Sequence, residues 1–522
     1  MKYEERYLPD GKFDLEGMVT KGRLHVVGEI LLVLLFGAFF AYGGYNFYYV
    51  IKSVQDFLAT FPSAVLDVVL NPIIELFKSF SWQVIIVLAV SYFLTLQVSY
   101  LVVRFFGKLA GVFLYGSTIV QIALFLWLFY FFGTWEYHWI FLIPVALQAC
   151  VLIFWRKKLN LAIQYVKLSS LIVWKKRRLI IPQLLQTLWI IILSLFYFVT
   201  IVAVFFNITE VSGTFTIGTK TVEITQGWIF AGYTALFVFL IYVVYFVVLG
   251  IKIDLIHSYV RSKGTEMSFS HAWSVTRRRW WGLMGYAFAS TIIHLIQFFY
   301  KLFKKQIKPE SILDAAKLTK EVIPAAPMSA DKKGGKFKKP PLRERIWMGL
   351  NYFTLPALTL EDRLFFSACF RSLKLIGHNI PDLYIKHANV DRLFKVMKIS
   401  SVFLNGILGG AIGALFGRLL GLTGVWTYAA LGVGVGLFVW MGGITSVLVL
   451  NDLNLSYITL MFMHTIDDLN GKKDYIDFKL KPKEEVEANF IAKEQKKADK
   501  KHKEEPEVPT RMESEQGTPL HK

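Results

Sequence analysis

GWIFAGYTALFVFLIYVVYFVVLGI, residues 227–251, runs for 25 positions without one acidic or basic side chain. A helix rising 1.5 Å per residue covers a hydrocarbon core of roughly 30 Å in about 20 apolar residues. Backbone in lipid must also satisfy its own N–H and C=O groups, so the run reads as a membrane-spanning helix. Seven runs of the same kind lie at about 28–50, 81–103, 109–131, 137–155, 180–206, 398–420 and 424–450. The whole chain agrees: 55% of its 522 residues are hydrophobic and 18% are charged, against roughly 25% charged in soluble domains. A soluble enzyme and a disordered chain are thereby excluded. A disulfide scaffold is excluded too, because Cys150 and Cys369 are the only cysteines. The fold class is all-α, a polytopic helical membrane protein with these eight clear spans as its frame. The apolar run from Glu29 is too long for a signal peptide, and its flank, residues 1–27, carries both signs of charge, so it is expected to remain as an anchor.

Lys and Arg set the sidedness. Residues 156–179 carry Arg156, Lys157, Lys158, Lys167, Lys175, Lys176, Arg177 and Arg178, whereas 207–226 carry Lys220 alone and 132–136 none. Alternation through the first six spans then places the N-terminus, 104–108, 156–179 and 252–280 in the cytoplasm, and 51–80, 132–136 and 207–226 outside. Segment 281–300 is long enough to cross. Yet Arg277, Arg278 and Arg279 precede it, and residues 301–345, with 13 Lys and Arg against 5 Asp and Glu, come after it. Segment 346–360 poses the same question, because the chain from Glu361 onward is basic again. Two architectures result: eight spans plus two re-entrant or interfacial segments, or ten spans with one basic outer loop. The first is preferred, since Gly282, Gly285 and Pro356 suit broken helices and His294 and Gln297 are poor lipid-facing residues. Both termini and the basic insert are then expected in the cytoplasm, on a protein integral to the plasma (inner) membrane.

Between the spans, residues 53–79 read as two short interfacial helices on the outer face, with breaks at Pro62 and Pro72. Residues 207–226 read as a small outer β-hairpin, Phe215 and Ile217 on one arm and Val222 and Ile224 on the other, around Gly218-Thr219-Lys220. Asn207-Ile208-Thr209 fits the glycosylation pattern, a match common by chance. Residues 301–345, with Lys332, Lys333, Lys336, Lys338 and Lys339 near Pro340-Pro341, are expected to form a flexible linker, either a plain solvated loop or one that also adheres to anionic headgroups, at about 1 kcal/mol per charge near the surface. From Gly471 the tail balances 13 Lys and Arg with 12 Asp and Glu and is expected to end in disorder, so 466–522 is taken as a charged cytoplasmic tail. Neither stretch interleaves aromatics with basic residues, so nucleic acid is not an expected partner. Membrane lipids are, and a homo-oligomer stays open.

No HExxH, GxSxG, Walker or CxxC pattern is present, so no catalytic residue, cofactor or metal is assigned. Asp254 with His257 is the nearest metal-like pairing, and interfacial polar residues explain it better. Glu29 is expected to reach headgroups. His294 and Gln297, three residues apart, together with Pro356 are the candidate polar path. Gly409, Gly413, Gly417 and Gly421 repeat at i+4, with Gly406 and Gly410 alongside, a helix-packing pattern for which Gly432 and Gly436 are the expected partners. Phe269, Trp273, Thr276 and Trp280 fall at roughly helical spacing. That face is expected in the headgroup region, with Trp273, Arg277, Arg278, Arg279 and Trp280 binding headgroups.

The stretch Ser268-Phe269-Ser270-His271-Ala272-Trp273-Ser274-Val275-Thr276-Arg277-Arg278-Arg279-Trp280 resembles one in an uncharacterised bacterial and archaeal multi-span membrane family, a domain of unknown function. That family has a similar S-F-x-x-A-W-x-x-T-R-R-R-W stretch before a glycine-rich apolar segment. Pro356-Ala357-Leu358-Thr359-Leu360-Glu361-Asp362, with Ala368 and Arg371-Ser372 after it, is similar to its second block. The likeness covers about 265–465 and implies a multi-span fold with no established activity. A weaker likeness, in the order of elements, is to choline transporter-like proteins. These have a basic amphipathic helix before a span, here Arg156-Lys157-Lys158-Leu159-Asn160-Leu161-Ala162-Ile163, and a last span running into an acidic end, here Phe462-Met463-His464-Thr465-Ile466-Asp467-Asp468-Leu469. That family's long outer domain and cysteines are missing here. Two functions are therefore expected: transport or handling of a small or lipid-like solute, or a non-catalytic membrane scaffold.

Overall fold

The structure, a computed structural model, describes residues 24–59, 71–133, 138–206, 213–217, 220–224, 226–261, 267–305, 352–361, 363–419, 421 and 423–469. Its helices in chain order are α1 (Leu24–Ala59), α2 (Asn71–Lys108), α3 (Ala110–Phe131), α4 (Leu142–Ile153), α5 (Arg156–Lys175), α6 (Ile180–Phe205) and α7 (Gln226–Arg261). They continue with α8 (Phe269–Arg277), α9 (Trp280–Lys305), α10 (Thr354–Leu360), α11 (Phe365–His378), α12 (Ile380–Ile385), α13 (Asp391–Leu419) and α14 (Val425–Leu469). Strands β1 (Gly213–Ile217) and β2 (Lys220–Ile224) pair antiparallel with Phe215 opposite Val222. The N-terminal segment up to Arg23, the expected linker from Gln306 to Arg345, the tail from Asn470, and Asn207 to Thr209 lie outside the described residues.

Seven of these helices, α1, α2, α3, α6, α7, α13 and α14, are long and apolar enough to cross a membrane. The packing is inside-out relative to a soluble protein. Ile119, Val120, Trp127, Leu188, Ile191 and Leu195 face outward, while Lys252, Asp254, Arg261, Arg279, Asp452 and Asp467 are buried. Such a contiguous apolar exterior suits lipid and would aggregate in water. The axis of the bundle is α7: 72% of its most apolar stretch is buried, against 17–39% in the other six. It packs against α1, α6, α8, α9, α10 and α14.

The expected fourth span, 137–155, is only partly a span. A 3₁₀ turn at His138–Phe141 leads into α4, which has 12 residues, and the chain then bends by 79° into α5. The bend falls where the apolar run meets Arg156-Lys157-Lys158. A helix with that charged face cannot stay in lipid, so it turns and lays Leu159, Ile163, Val166 and Val173 against the bundle. The expected interfacial helices do not separate from their neighbours either. Residues 53–59 finish α1 and 71–79 begin α2, with 60–70 outside the described residues.

Segment 281–300 departs further from expectation. It is not broken: α9 runs unbroken for 26 residues, about 39 Å at 1.5 Å per residue. Gly282 and Gly285 serve close packing, since a Cβ on them would sit 3.1 Å from Leu358 and 3.3 Å from Phe365. The helix runs antiparallel to α7, with Tyr286 stacked on Phe246 at 4.1 Å and His294 edge-on to Tyr242 at 6.2 Å. Phe288, Ile292 and Ile296 form an exposed stripe at four-residue spacing. Of 346–360 the described part is 352–360, whose helix α10 has seven buried residues and is about 10 Å long, too short to cross.

Close packing of the last two long helices is as expected, but the partner glycine differs. Antiparallel α13 and α14 approach so closely that a Cβ on Gly409 would collide with the Gly434 carbonyl oxygen, and one on Gly413 would lie 2.5 Å from that of Ala430. Gly432 and Gly436 face open space. Gly417 makes ordinary contact with Ala430 and Thr427, and Gly421 leaves the interface for the connecting turn, where its φ of +65° suits glycine. Gly434→Ala is therefore expected to destabilise the protein by about 1–3 kcal/mol through overpacking, while Gly432→Ala leaves the melting temperature in detergent unchanged or raised. Equal melting of the two variants would show that the helices do not meet along Gly434.

Candidate functional site at the basic ends of the helices

Past the run 227–251, α7 continues as Lys252-Ile253-Asp254-Leu255-Ile256-His257. A lysine one residue beyond an apolar span ordinarily reaches water or headgroups. Lys252 does neither. Its side chain is 1% exposed, and Nζ donates to Asp452 Oδ1 at 2.5 Å and to Gln183 Oε1 at 2.5 Å. Asp452 stands just past the run 424–450 on α14, and Gln183 lies in the first turn of α6, so one ammonium group ties three helices together.

A hydroxyl cluster adjoins this centre, six residues earlier on α14, or about 9 Å along the axis. Ser99 of α2 lies 2.9 Å from Ser401 of α13 and 3.2 Å from Thr445, and Ser446 lies 2.7 Å from Ser401. Farther along, Arg261 at the end of α7 grips Asp467 through two hydrogen bonds of 2.8 and 2.7 Å. Asp254 accepts from Arg279 at 3.0 Å and from Thr276 Oγ1 at 3.0 Å. All these carboxylates are nine-tenths buried or more, and each has its own cation. Removing a charge from water costs several kcal/mol per ion, so unmatched charges would not be tolerated here.

The same contacts bring helix ends together on one face. The C-terminal ends of α2, α7 and α14 meet the N-terminal ends of α6 and α13, and Glu29 near the start of α1 pairs with Arg277 at 2.6 Å. Lys158 of α5 joins this face by binding Asp382 of α12 at 3.0 Å. Burial pushes the Asp382 carboxyl above the usual range, and the Lys158 ammonium opposes that rise. The pair differs from Lys252–Asp452 in that its lysine is 38% exposed.

The candidate polar path is not assembled. Gly282 of α9 touches Leu358, next to the buried Pro356, whereas His294 lies twelve residues farther along α9, about 18 Å away along the helix. His294 is half-buried beside Tyr242, and the side chain of Gln297 lies outside the described residues. The headgroup block divides. Trp273 and Arg277 are exposed and Arg278 is half-buried, but Arg279 and Trp280 are buried and cannot reach headgroups. Helix α8 ends at Arg277, so Trp280 opens a new helix rather than sharing the face of Trp273, and the turn sends Arg279 inward to neutralise Asp254. Asp254 thus accepts from Arg279 and Thr276. Among the described residues no three His, Cys, Asp or Glu converge as metal ligands.

Lys252, Asp452 and Gln183 escape a reading of the sequence because each stands at the edge of an apolar run, where a polar residue is ordinary. The signal lies beyond Asp452: Leu453, Leu455, Tyr457, Ile458 and Leu460 continue the apolar pattern, so the helix stays in protein.

Asp452→Asn is expected to cost about 3–5 kcal/mol by stranding a buried ammonium. Asp382→Asn frees a lysine that water already reaches and should cost about 1 kcal/mol or less. Comparing thermal unfolding of the two purified variants checks this, and similar losses would contradict the burial assigned to Lys252. Neither a comparison with protein-family models nor one with curated proteins returns a match to the chain.

Proposed function

We propose that this multi-pass membrane protein moves or handles a small or lipid-like solute without catalysing a reaction, and that Lys252, Asp452 and Gln183 couple this movement to charge. The buried ammonium–carboxylate pair joining α6, α7 and α14 carries the reading. Apolar side chains of similar volume would hold three helices together at least as well. A charge pair adds a contact whose strength changes when a proton or an ion arrives, and ionisable groups within membrane bundles typically mark such pathways. The resemblance to choline transporter-like proteins points the same way. A non-catalytic scaffold is the second reading, favoured by the tight backbone contact of α13 with α14.

On this reading the face carrying Lys158, Lys176, Arg178 and Arg277 is cytoplasmic, in a plasma (inner) membrane, with the β1–β2 pair outside. The unbroken α9, antiparallel to α7 and bearing an apolar stripe, favours crossing over re-entry for 281–300, whereas the seven residues of α10 do not make a tenth span. The basic insert after Lys305 then lies opposite Lys252, against the usual charge bias.

Proteoliposomes containing the full chain are expected to exceed empty liposomes in proton leak, read by an internal pH dye, or in transbilayer movement of a fluorescent phospholipid. The double variant Lys252→Met/Asp452→Leu should lose that excess at least tenfold without losing thermal stability. Wild-type liposomes that match empty ones on both readouts would leave the scaffold reading standing. For topology, single cysteines introduced between Gln306 and Arg345 are expected to react with an impermeant maleimide added to intact cells. Labelling only after permeabilisation would return the insert to the side of Lys252.

A further inference from the structure

Midway along α3 stands a side chain that hydrocarbon accommodates poorly. Gln121 lies eleven residues past Ala110 in a helix of 22, about 16 Å from its start, and it faces inward with Leu114 and Thr118. Of the twelve residues of α4 only Gln148 and Val151 are buried, so the face that holds this short helix to the bundle is in part an amide. Asn389, fully buried, comes from a π-helical turn, Lys386–Val390, between α12 and α13.

The three primary amides form a chain. Gln148 Nε2 donates to Gln121 Oε1 at 2.9 Å, and Gln121 Nε2 donates to Asn389 Oδ1 at 3.4 Å, long for such a bond. Gln148 Nε2 also lies 3.5 Å from the hydroxyl of Tyr384, five residues before Asn389, so both ends of the chain come to the same segment. Two atoms are left over. Gln148 Oε1 and Asn389 Nδ2 are sealed from solvent and have no hydrogen-bond partner among the described residues. Turning all three amides over exchanges oxygen for nitrogen and again leaves one acceptor and one donor, one at each end. A buried amide atom without a partner is costly, and the neighbouring polar groups are spent: Thr118 donates to the Leu114 carbonyl, and Lys386 is paired with Asp391.

The chemistry of the two ends narrows what satisfies them. A cation takes up oxygens alone and an anion N–H groups alone, and the amides bond to one another and to Tyr384, not to a charged group. An uncharged solute that carries both a donor and an acceptor fits both ends. Two of the amides also stand where the helices depart from a regular course: α4 runs into the 79° bend before α5, and Asn389 lies in the π turn. Such irregular backbone inside membrane bundles gathers at binding sites.

We propose that the Gln148–Gln121–Asn389 chain binds a small uncharged solute bearing a carboxamide or urea group, whose N–H donates to the free oxygen and whose carbonyl accepts from the free N–H. Water shares this donor and acceptor chemistry, and the experiment separates the two. The site uses none of the residues around Lys252, is read without flux, and stands if the transport reading fails.

The full chain, purified in detergent, would be titrated with acetamide, N,N-dimethylacetamide, acetate and methylammonium, each observed through its methyl protons by saturation-transfer NMR against empty micelles. Acetamide is expected to bind about fivefold more tightly than N,N-dimethylacetamide, which lacks the N–H, the worth of one neutral hydrogen bond. Urea should displace it. Gln121→Leu/Gln148→Leu/Asn389→Leu, which removes the whole chain and strands no amide, should abolish the acetamide signal in folded protein. Gln148→Met, which removes the free acceptor alone, should weaken binding about fivefold and decides the matter if the triple variant does not fold. Asn160→Ala, at an exposed amide of α5, should leave binding unchanged. Acetamide binding no better than N,N-dimethylacetamide shows an ordered water only and overturns the solute site. Tighter binding of acetate or methylammonium overturns its neutrality, and undiminished binding in the folded Gln148 variants overturns its location.

Discussion

A charge taken out of water has to meet an opposite charge, and in this protein that requirement falls on Lys252. Its ammonium group sits just past the apolar run of the most buried helix, with Asp452 and Gln183 as its partners. Satisfying it sets α14 beside α7 at a defined height and brings α6 to the same level. The Arg261–Asp467 pair repeats the α7–α14 match farther along. The two helices therefore run parallel, and slipping one against the other by a turn would strand two cations at once. The hydroxyl cluster of Ser99, Ser401, Thr445 and Ser446 brings α2 and α13 into the same layer.

Helix length gives this layer its place. With 36 and 45 residues, α7 and α14 reach about 54 and 68 Å, well beyond a hydrocarbon core of roughly 30 Å. Their surplus does not project into water alone. It is packed against α5, α8 and α10, so that Ile253, Ile256, Leu455, Ile458, Phe462 and Ile466 are as buried as any residue in the span. The protein thus has a membrane bundle and a compact helical cap built from the same long helices.

Two kinds of helix contact hold the bundle, and they differ in what they permit. Along α13 and α14 the backbones touch through Gly409, Gly413 and Gly434, where even one added methyl group meets a carbonyl oxygen. Around α7 the contacts are aromatic and polar instead, with Phe246 on Tyr286, Phe237 on Tyr197 and the ion pairs at the end. Hydrocarbon offers no hydrophobic drive for helix association, so packing and polar contacts have to supply it. A backbone-to-backbone seam resists sliding, whereas side-chain contacts can exchange partners.

The length of an apolar run is a local property, so most of the membrane helices could be read from the chain alone, and so could the i+4 glycines of α13. Which faces meet is not local. Lys252 and Asp452 are separated by |i−j| of 200 and Arg261 and Asp467 by 206, and no spacing rule joins such pairs. For the same reason Gly434 rather than Gly432 became the partner of Gly409: both suit a close approach, and only the rotation of α14 about its axis decides between them. The bend at Trp155 and the unbroken course of α9 through Gly282 and Gly285 likewise depended on neighbours. Lipid selects helices by composition, whereas their pairing is selected by shape and charge at surfaces formed only when the chain is folded.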